Sequence, residues 1–358
     1  MGVTVGDGGP CLLAMDAGNS KTDVAVVTTD GTLLARERGP GFAPHVDGVD
    51  RAVSSLEGTV RAALQRAGDP RVRLVKACLA NADLPVEEVQ IADSMRARGW
   101  GDGVHVANDT FAVLRAGTDQ PRGVAVVCGA GINCVGLLPD GRTSRFLALG
   151  HMTGDWGGGM GLAQEVMWWS VRAEDGRGPA TDLSAAVAAH FVLKSAIAVA
   201  ESVHLRRIDR DRLHELVPLL FRVAGNGDPV ARSIVERQAR EVVSLASIAL
   251  RRLALDTVPA DVVLGGGVLT ARDPLLMSAI TAGLAQEAPL SRVRVLSAPP
   301  VLGAILLGLE DMAAGRPAAV EEVAAAQERL RAQLGPDAPS PEHEAWVAAG
   351  DIRVGQGR

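Results

Sequence analysis

Cys11-Leu-Leu-Ala-Met-Asp-Ala-Gly-Asn-Ser-Lys-Thr-Asp-Val-Ala-Val-Val-Thr-Thr-Asp30-Gly31 is the stretch that decides the fold. Residues 11–17 form an apolar run ending in the polar turn Asp16-Ala-Gly-Asn-Ser-Lys-Thr22. Residues 22–29 are rich in Val and predict a second strand. Asp30-Gly31 is a tight-hairpin dipeptide, because both central residues of that turn need positive φ. Residues 32–38 complete an antiparallel meander of three strands.

Downstream, residues 49–67 carry Val49, Val53, Leu56, Val60, Ala63 and Leu64 at helical spacing. A strand at 73–79, a helix at 86–98, a strand at 103–107 and a helix at 111–116 follow, the last capped within Asn108-Asp109-Thr110. Three strands and then strand–helix alternation is the order of a ribonuclease-H-like α/β unit. The pattern restarts with a strand at 123–128, the turn Gly129-Ala-Gly-Ile-Asn133, a strand at 134–138, the hairpin Pro139-Asp140-Gly141-Arg142 and a strand at 143–149. A helical insertion is expected over about 161–255. A strand at 261–264, the cluster Gly265-Gly266-Gly267, a helix at 274–287, a strand at 293–296 and a helix at 301–309 complete the second unit. The meander is thus duplicated in architecture, with little direct identity. The expected fold is α/β, with two ribonuclease-H-like domains, an interdomain cleft and a helical insertion in the second. The expected units are residues 1–117, 118–316, and a C-terminal helix with a mobile tail at 317–358.

At 358 residues and 47% hydrophobic, the chain supports two cores. Its net charge of −6, without a Lys or Arg run, argues against nucleic acid or an anionic membrane as partner. Aromatics are 3% of the chain, too few for a base-stacking platform. An acidic protein that binds a polyanion needs backbone dipoles and a divalent metal to hold it. Cys11, Cys78, Cys128 and Cys134 form no C-x-x-C pair and read as buried free thiols. Met1 to Pro10 lacks a charged leader, and no uninterrupted apolar run reaches the length of a membrane span, so the expected compartment is the cytoplasm.

Glycine turns between strands expose successive backbone N–H groups, which form an anion nest. Two such turns at equivalent places in a repeat can grip one polyphosphate from both sides. The first offers Asp16, Gly18, Asn19, Ser20, Lys21 and Thr22, and the second offers Gly129, Ala130 and Gly131. Asp16 is the candidate metal residue, through a water on Mg2+, an ion that takes few carboxylates. Gly265, Gly266 and Gly267 follow a strand, where an α/β sheet offers its ligand crevice.

With these turns in place, the chain resembles the N-acetylglucosamine kinase and BadF/BadG/BcrA/BcrD ATPase family over about residues 12–310. Asp16-Ala-Gly-Asn-Ser-Lys-Thr-Asp is similar to its first phosphate motif, Cys128-Gly-Ala-Gly-Ile-Asn-Cys to its second, and Leu264-Gly-Gly-Gly-Val to its adenosine motif. Gly150-His-Met-Thr-Gly-Asp-Trp-Gly is similar to its G-H-x-x-G-D-x-G stretch. The resemblance implies two actin-like ATPase domains closing over ATP, Mg2+ and a sugar. It implies that Asp109, in the pair Asn108-Asp109, is the catalytic base, although either residue is also a competent helix cap. It implies sugar contacts at Asn108, Asn133 and Asp155. His151 reads as a sugar contact or a buried loop organiser, and Asn81 and Asp83 are candidate substrate contacts after their strand. The family's usual target is the 6-hydroxyl, and its kinases are often homodimers. Two departures concern the sugar. Trp156-Gly157-Gly158 stands where the better-known kinases have Glu-Gly-Ser, and Ala43 where they tend to have Asn. The competing classes are a kinase of another hexose (glucosamine, N-acetylmuramic acid, glucose), an iron–sulfur ATPase activator and a non-catalytic sugar sensor.

Overall fold

The computed structural model describes residues 9–316 and 320–335. The predicted tail from 336 onward lies outside the described residues.

β1 (Cys11–Ala17), β2 (Lys21–Thr28) and β3 (Leu33–Pro40) form the antiparallel meander. β4 (Val72–Leu79) and β5 (Gly103–Asn108) join in parallel on the other side of β1, giving the order β3-β2-β1-β4-β5. β6 (Gly123–Cys128), β7 (Ile132–Leu137), β8 (Thr143–Arg145), β9 (Ala260–Gly265) and β10 (Ser291–Val295) repeat it as β8-β7-β6-β9-β10. The pairing senses also match strand for strand.

Two of the differences from the sequence reading bear on the site. β7 begins at Ile132 rather than 134, so Asn133 lies in the ladder opposite Val127. β8 ends at Arg145 rather than 149, because the chain turns away through Ala148 (φ 53) and Gly150 (φ 77). Both values lie in the left-handed region, which ends a strand.

α1 (Val49–Arg66) and α2 (Pro85–Arg96) cover the outer face of the first sheet. Their Val53, Leu56, Val60, Ile91 and Met95 pack with Leu13, Met15, Val24 and Val26. α3 (Asp109–Gly117) follows β5. The insertion comprises α4 (Gly158–Glu174), α5 (Leu183–His190), α6 (Ala196–His204), α7 (Leu216–Gly225) and α8 (Pro229–Arg252). With α9 (Pro274–Glu287) they build the largest core, against Val124, Val126 and Cys128 of β6.

The inner faces of the two sheets share a third core. Leu12, Ala14, Ala25 and Val27 of one sheet and Ala125, Val135 and Val263 of the other close around α3 and α10 (Pro300–Ala313). α10, expected in the second unit, packs on β1 and β4 of the first sheet, and α11 (Val320–Leu334) adds Ala326, Leu330 and Leu334 to the same core. Every residue of α10 from Val301 to Leu309 is buried. A helix that is apolar all round must be covered on all sides, and its pattern alone does not name the covering sheet. The fully buried Arg115 of α3 fastens the arrangement. Its Nε donates to Glu310 (2.8 Å), and its guanidinium also reaches the Thr118 carbonyl and Gln327.

α3 and α10 approach closely enough that a Cβ at Gly303 would lie 1.8 Å from the Ala112 carbonyl oxygen. Replacing helical Gly by Ala ordinarily gains up to about 1 kcal/mol. Here the obstacle is backbone, which does not yield, and overpacking costs about 1–3 kcal/mol. Gly303→Ala is therefore expected to lower stability in urea unfolding. Gly58→Ala, at an exposed position of α1 with open space at its Cβ, is expected to raise it.

Candidate active site

Side chains alternate along a strand, so Asp16 shares the inner face of β1 with Leu12 and Ala14. By the same period, Asn133 shares the inner face of β7 with Val135. Both therefore point between the sheets. Leu79 of β4 pairs with Asn108 of β5, which sets Asp109 at the carboxyl end of the sheet, facing the same gap.

The first glycine turn is closed by Gly18 N–H donating to the Lys21 carbonyl (2.9 Å). A Cβ at Gly41 would sit 2.0 Å from the Asn19 carbonyl oxygen, so the loop after β3 backs the turn directly. Asn19, Ser20 and Lys21 are exposed at its tip. Thr22 is not. It is fully buried and its hydroxyl donates to the Pro40 carbonyl (2.7 Å), so its side chain braces the turn.

The second turn, Gly129–Gly131, is held from outside. Gly159 and Met160 N–H, at the start of α4, donate to the Gly129 and Ala130 carbonyls (2.7 and 2.9 Å). Outside the strand ladders, the amides of Gly129, Ala130 and Gly131 donate no backbone bond among the described residues. Carbonyls tied behind and amides left unused are the chemistry of an anion nest. A Cβ at Gly158 (φ 70) would lie 2.3 Å from Gly131 backbone, and one at Gly266 (φ 81) 2.4 Å from Cys128 backbone. Three glycine segments thus meet at one point, with Gly267 in open space and Gly265 against Val113 of α3.

Asn108 is the helix cap. Its Oδ1 accepts from Thr110 N–H (3.0 Å), and Asp109 is the first residue of α3. Burial raises the Asp109 carboxyl to about 6, against hydrogen bonds from Thr110. Burial also pushes Asp16 well above the usual range, helped by Asp109 and Asp23 and opposed by Lys21 and Arg36. Asp83 rises to about 7, chiefly by burial and then by Asp109. Its Oδ1 accepts from Asn108 (2.8 Å) and from Asn133 (3.3 Å), so it joins the two sheets. Asn133 Nδ2 also reaches Asn108 Oδ1 (3.3 Å).

Asn81, at φ 63, donates to Asn19 Oδ1 (2.9 Å) and the Phe42 carbonyl (3.0 Å), which links the loop after β4 to the first phosphate turn. His151 is exposed, so it is not the buried organiser of its loop. That role falls to Asp155, whose Oδ2 accepts from Gly150 N–H (3.0 Å) and the Thr153 hydroxyl (2.6 Å). Trp156 donates to Glu165 and lies under the Arg237 guanidinium (4.2 Å), so one ring face is occupied. Cys128 and Cys134 are buried in the core of the second sheet, and burial raises both thiols. Among the described residues no helix is long and apolar enough to cross a membrane.

The glycine turns and carboxylates thus occupy the gap between two sheets of one topology. The model of the BadF/BadG/BcrA/BcrD ATPase family matches residues 13–308. The chain belongs to that family. It is 22% identical to an N-acetyl-D-glucosamine kinase of Dictyostelium discoideum over 83% of this chain and 97% of that protein. It is 24% identical to an N-acetylmuramic acid/N-acetylglucosamine kinase of Clostridium acetobutylicum over 72% of this chain and 85% of that one. The structure of a candidate N-acetylglucosamine kinase from Chromobacterium violaceum matches with a TM-score of 0.64 at 24% identity, covering 84% of this chain and 99% of the other. That likeness shows the same fold.

Sequence reasoning named Asp83 only as one of two polar residues after β4, because a lone Asp in a loop carries no motif. A raised carboxyl pKa means that the charged form is disfavoured in the fold. The cost is absent below the ordinary value of 3.8, grows as pH rises, and is complete above about 7. Asp83→Asn is therefore expected to raise the thermal midpoint at pH 8, with the gain shrinking towards pH 4. Thermal scans across that range check it, and an equal gain at every pH contradicts the assignment.

Proposed function

We propose that this protein transfers the γ-phosphoryl group of Mg-ATP to an amino sugar, with the 6-hydroxyl of N-acetylglucosamine as the foremost acceptor. The observation that carries the reading is Asp109, a half-buried, desolvated carboxyl at the start of α3, facing the gap that holds both glycine turns. Its raised affinity for protons, near 6, suits a general base working at neutral pH. The two named relatives support the choice of acceptor.

Phosphoryl transfer needs alignment and charge neutralisation more than covalent chemistry. The amides of Gly129–Gly131 and the exposed tip Asn19–Lys21 fit a polyphosphate arriving between the sheets. The segment Gly265–Gly267 lies directly behind the second turn and fits the nucleoside end. Asp16 fits a water-mediated contact to Mg2+, since its carboxyl is desolvated and lies among other acidic groups. Bound there, Mg2+ supplies neutralisation of the developing charge. Asp109 takes the proton of the acceptor hydroxyl, and Asn108, Asn133 and Asp155 border the space where sugar hydroxyls would lie. Cytoplasmic location and a homodimer complete the reading, on the strength of family resemblance.

Asp109→Asn is expected to lower kcat at least about a hundredfold while ATP binding persists. Only the ionised base is active, so kcat/KM of the native enzyme is expected to fall as pH drops through 7 to 6. The two carboxyls titrate as neighbours, so the limb belongs to the pair. A panel of N-acetylglucosamine, N-acetylmuramic acid, glucosamine and glucose, assayed for ADP release with Mg2+, tests the acceptor. Failure of every sugar to stimulate turnover rejects the kinase reading.

A further inference from the structure

Arg145 ends β8, at the edge of the second sheet, yet its side chain contacts the first domain. Its Nη2 donates to the carbonyls of Ala82 (3.2 Å) and Asp83 (3.1 Å), and its Nη1 lies 2.9 Å from Glu88 Oε1 of α2. The guanidinium centre is 5.6 Å from the centroid of Phe111, two residues beyond the proposed base. The side chains of Arg145 and Glu88 are 23% and 20% exposed, so water screens the pair poorly. The Arg145 carbonyl in turn accepts from Arg252 at the end of α8 (3.1 Å). The arginine is thus anchored in one domain and spends its donors on the other.

The segment it holds has two outputs. Asn81 donates to Asn19 in the first phosphate turn, and Asp83 accepts from Asn108, the cap that fixes Asp109. Asn133, the other cross-domain group, binds the same Asp83 oxygen. A planar guanidinium donates to two carbonyls while its charge lies beside a carboxylate, which an ammonium on a flexible stem does not reproduce.

We propose that Arg145 is a positioning residue that locks the Asn81–Asp83 segment only when the domains are together, so that closure aligns the first phosphate turn and the base in one step. This rests on the kinase reading. The role differs from sugar or nucleotide binding, because Arg145 meets the Asn81–Asp83 segment through the backbone carbonyls of Ala82 and Asp83 rather than through a side chain offered to substrate. Two neighbours carry charge that faces it, Glu88 and Asp83, and its own strand contributes none.

The test uses the full-length chain with Arg145→Lys and Arg145→Met, sugar-dependent ADP release, thermal unfolding and amide exchange of the 80–84 segment. The expected result is a fall in kcat of at least about tenfold for Arg145→Met, with KM for ATP within about twofold of native, as for a lost alignment. Arg145→Lys recovers part of kcat, since it restores the charge and not the fork. Exchange at 80–84 speeds up in both variants while residues 72–79 keep native protection. If Arg145→Met does not fold, Arg145→Lys decides alone. Native kcat and native exchange in Arg145→Lys overturn the proposal, as does a kcat loss without faster exchange at 80–84. A native enzyme inactive on every sugar would sink the kinase reading instead, while the exchange result still judges the lock.

Discussion

The contact between α3 and α10 is the constraint on which the rest of this molecule depends. Each helix lies between the two sheets, and each touches both sheets or the other helix. The approach at Gly303 and Ala112 leaves no room for a methyl group. Because interiors are close-packed, such a contact fixes the spacing of whatever stands at its edge. What stands there is the turn pair and Asp109, since α3 begins on Asp109 and β5 ends one residue earlier. Arg115 and Glu310 staple the helices further along, so the axis between the domains is both tightly packed and ion-paired.

Around this axis the chemistry comes from desolvation. Asp16, Asp83 and Asp109 all hold protons more strongly than free carboxyls, and burial is the first cause for each. Three acidic groups confined to one gap destabilise the fold when charged. Such a cost is characteristic of sites that await cations and substrate hydroxyls. The glycines act in the complementary sense. Gly158 and Gly266 let backbone meet backbone behind the second turn, so that amides rather than side chains front the gap.

Much of this was legible in the sequence because it is local. Asp30-Gly31 and Asp140-Gly141 announce hairpins, and strand alternation from Cys11 carries Asp16 to the inner face without any tertiary knowledge. Asn108 as cap and Asp109 as free carboxyl were both open until the helix start was located. Other features depend on distant partners. That the Thr22 hydroxyl donates to the Pro40 carbonyl is seen only in the fold. The return of α10 to the first sheet is invisible in a helix that is apolar on every side. Arg145 carries no motif, and its meaning comes from carbonyls more than sixty residues earlier.

The central claim is that two equivalent turns hold one polyphosphate while Asp109 faces the acceptor. A crystal structure with a non-hydrolysable ATP analogue, Mg2+ and N-acetylglucosamine tests it most directly. The account predicts phosphate oxygens on both the Asn19–Lys21 and Gly129–Gly131 segments, and a sugar hydroxyl about 2.6–3.2 Å from the Asp109 carboxylate. A nucleotide bound by one turn alone, or a sugar with no hydroxyl in reach of Asp109, would contradict it.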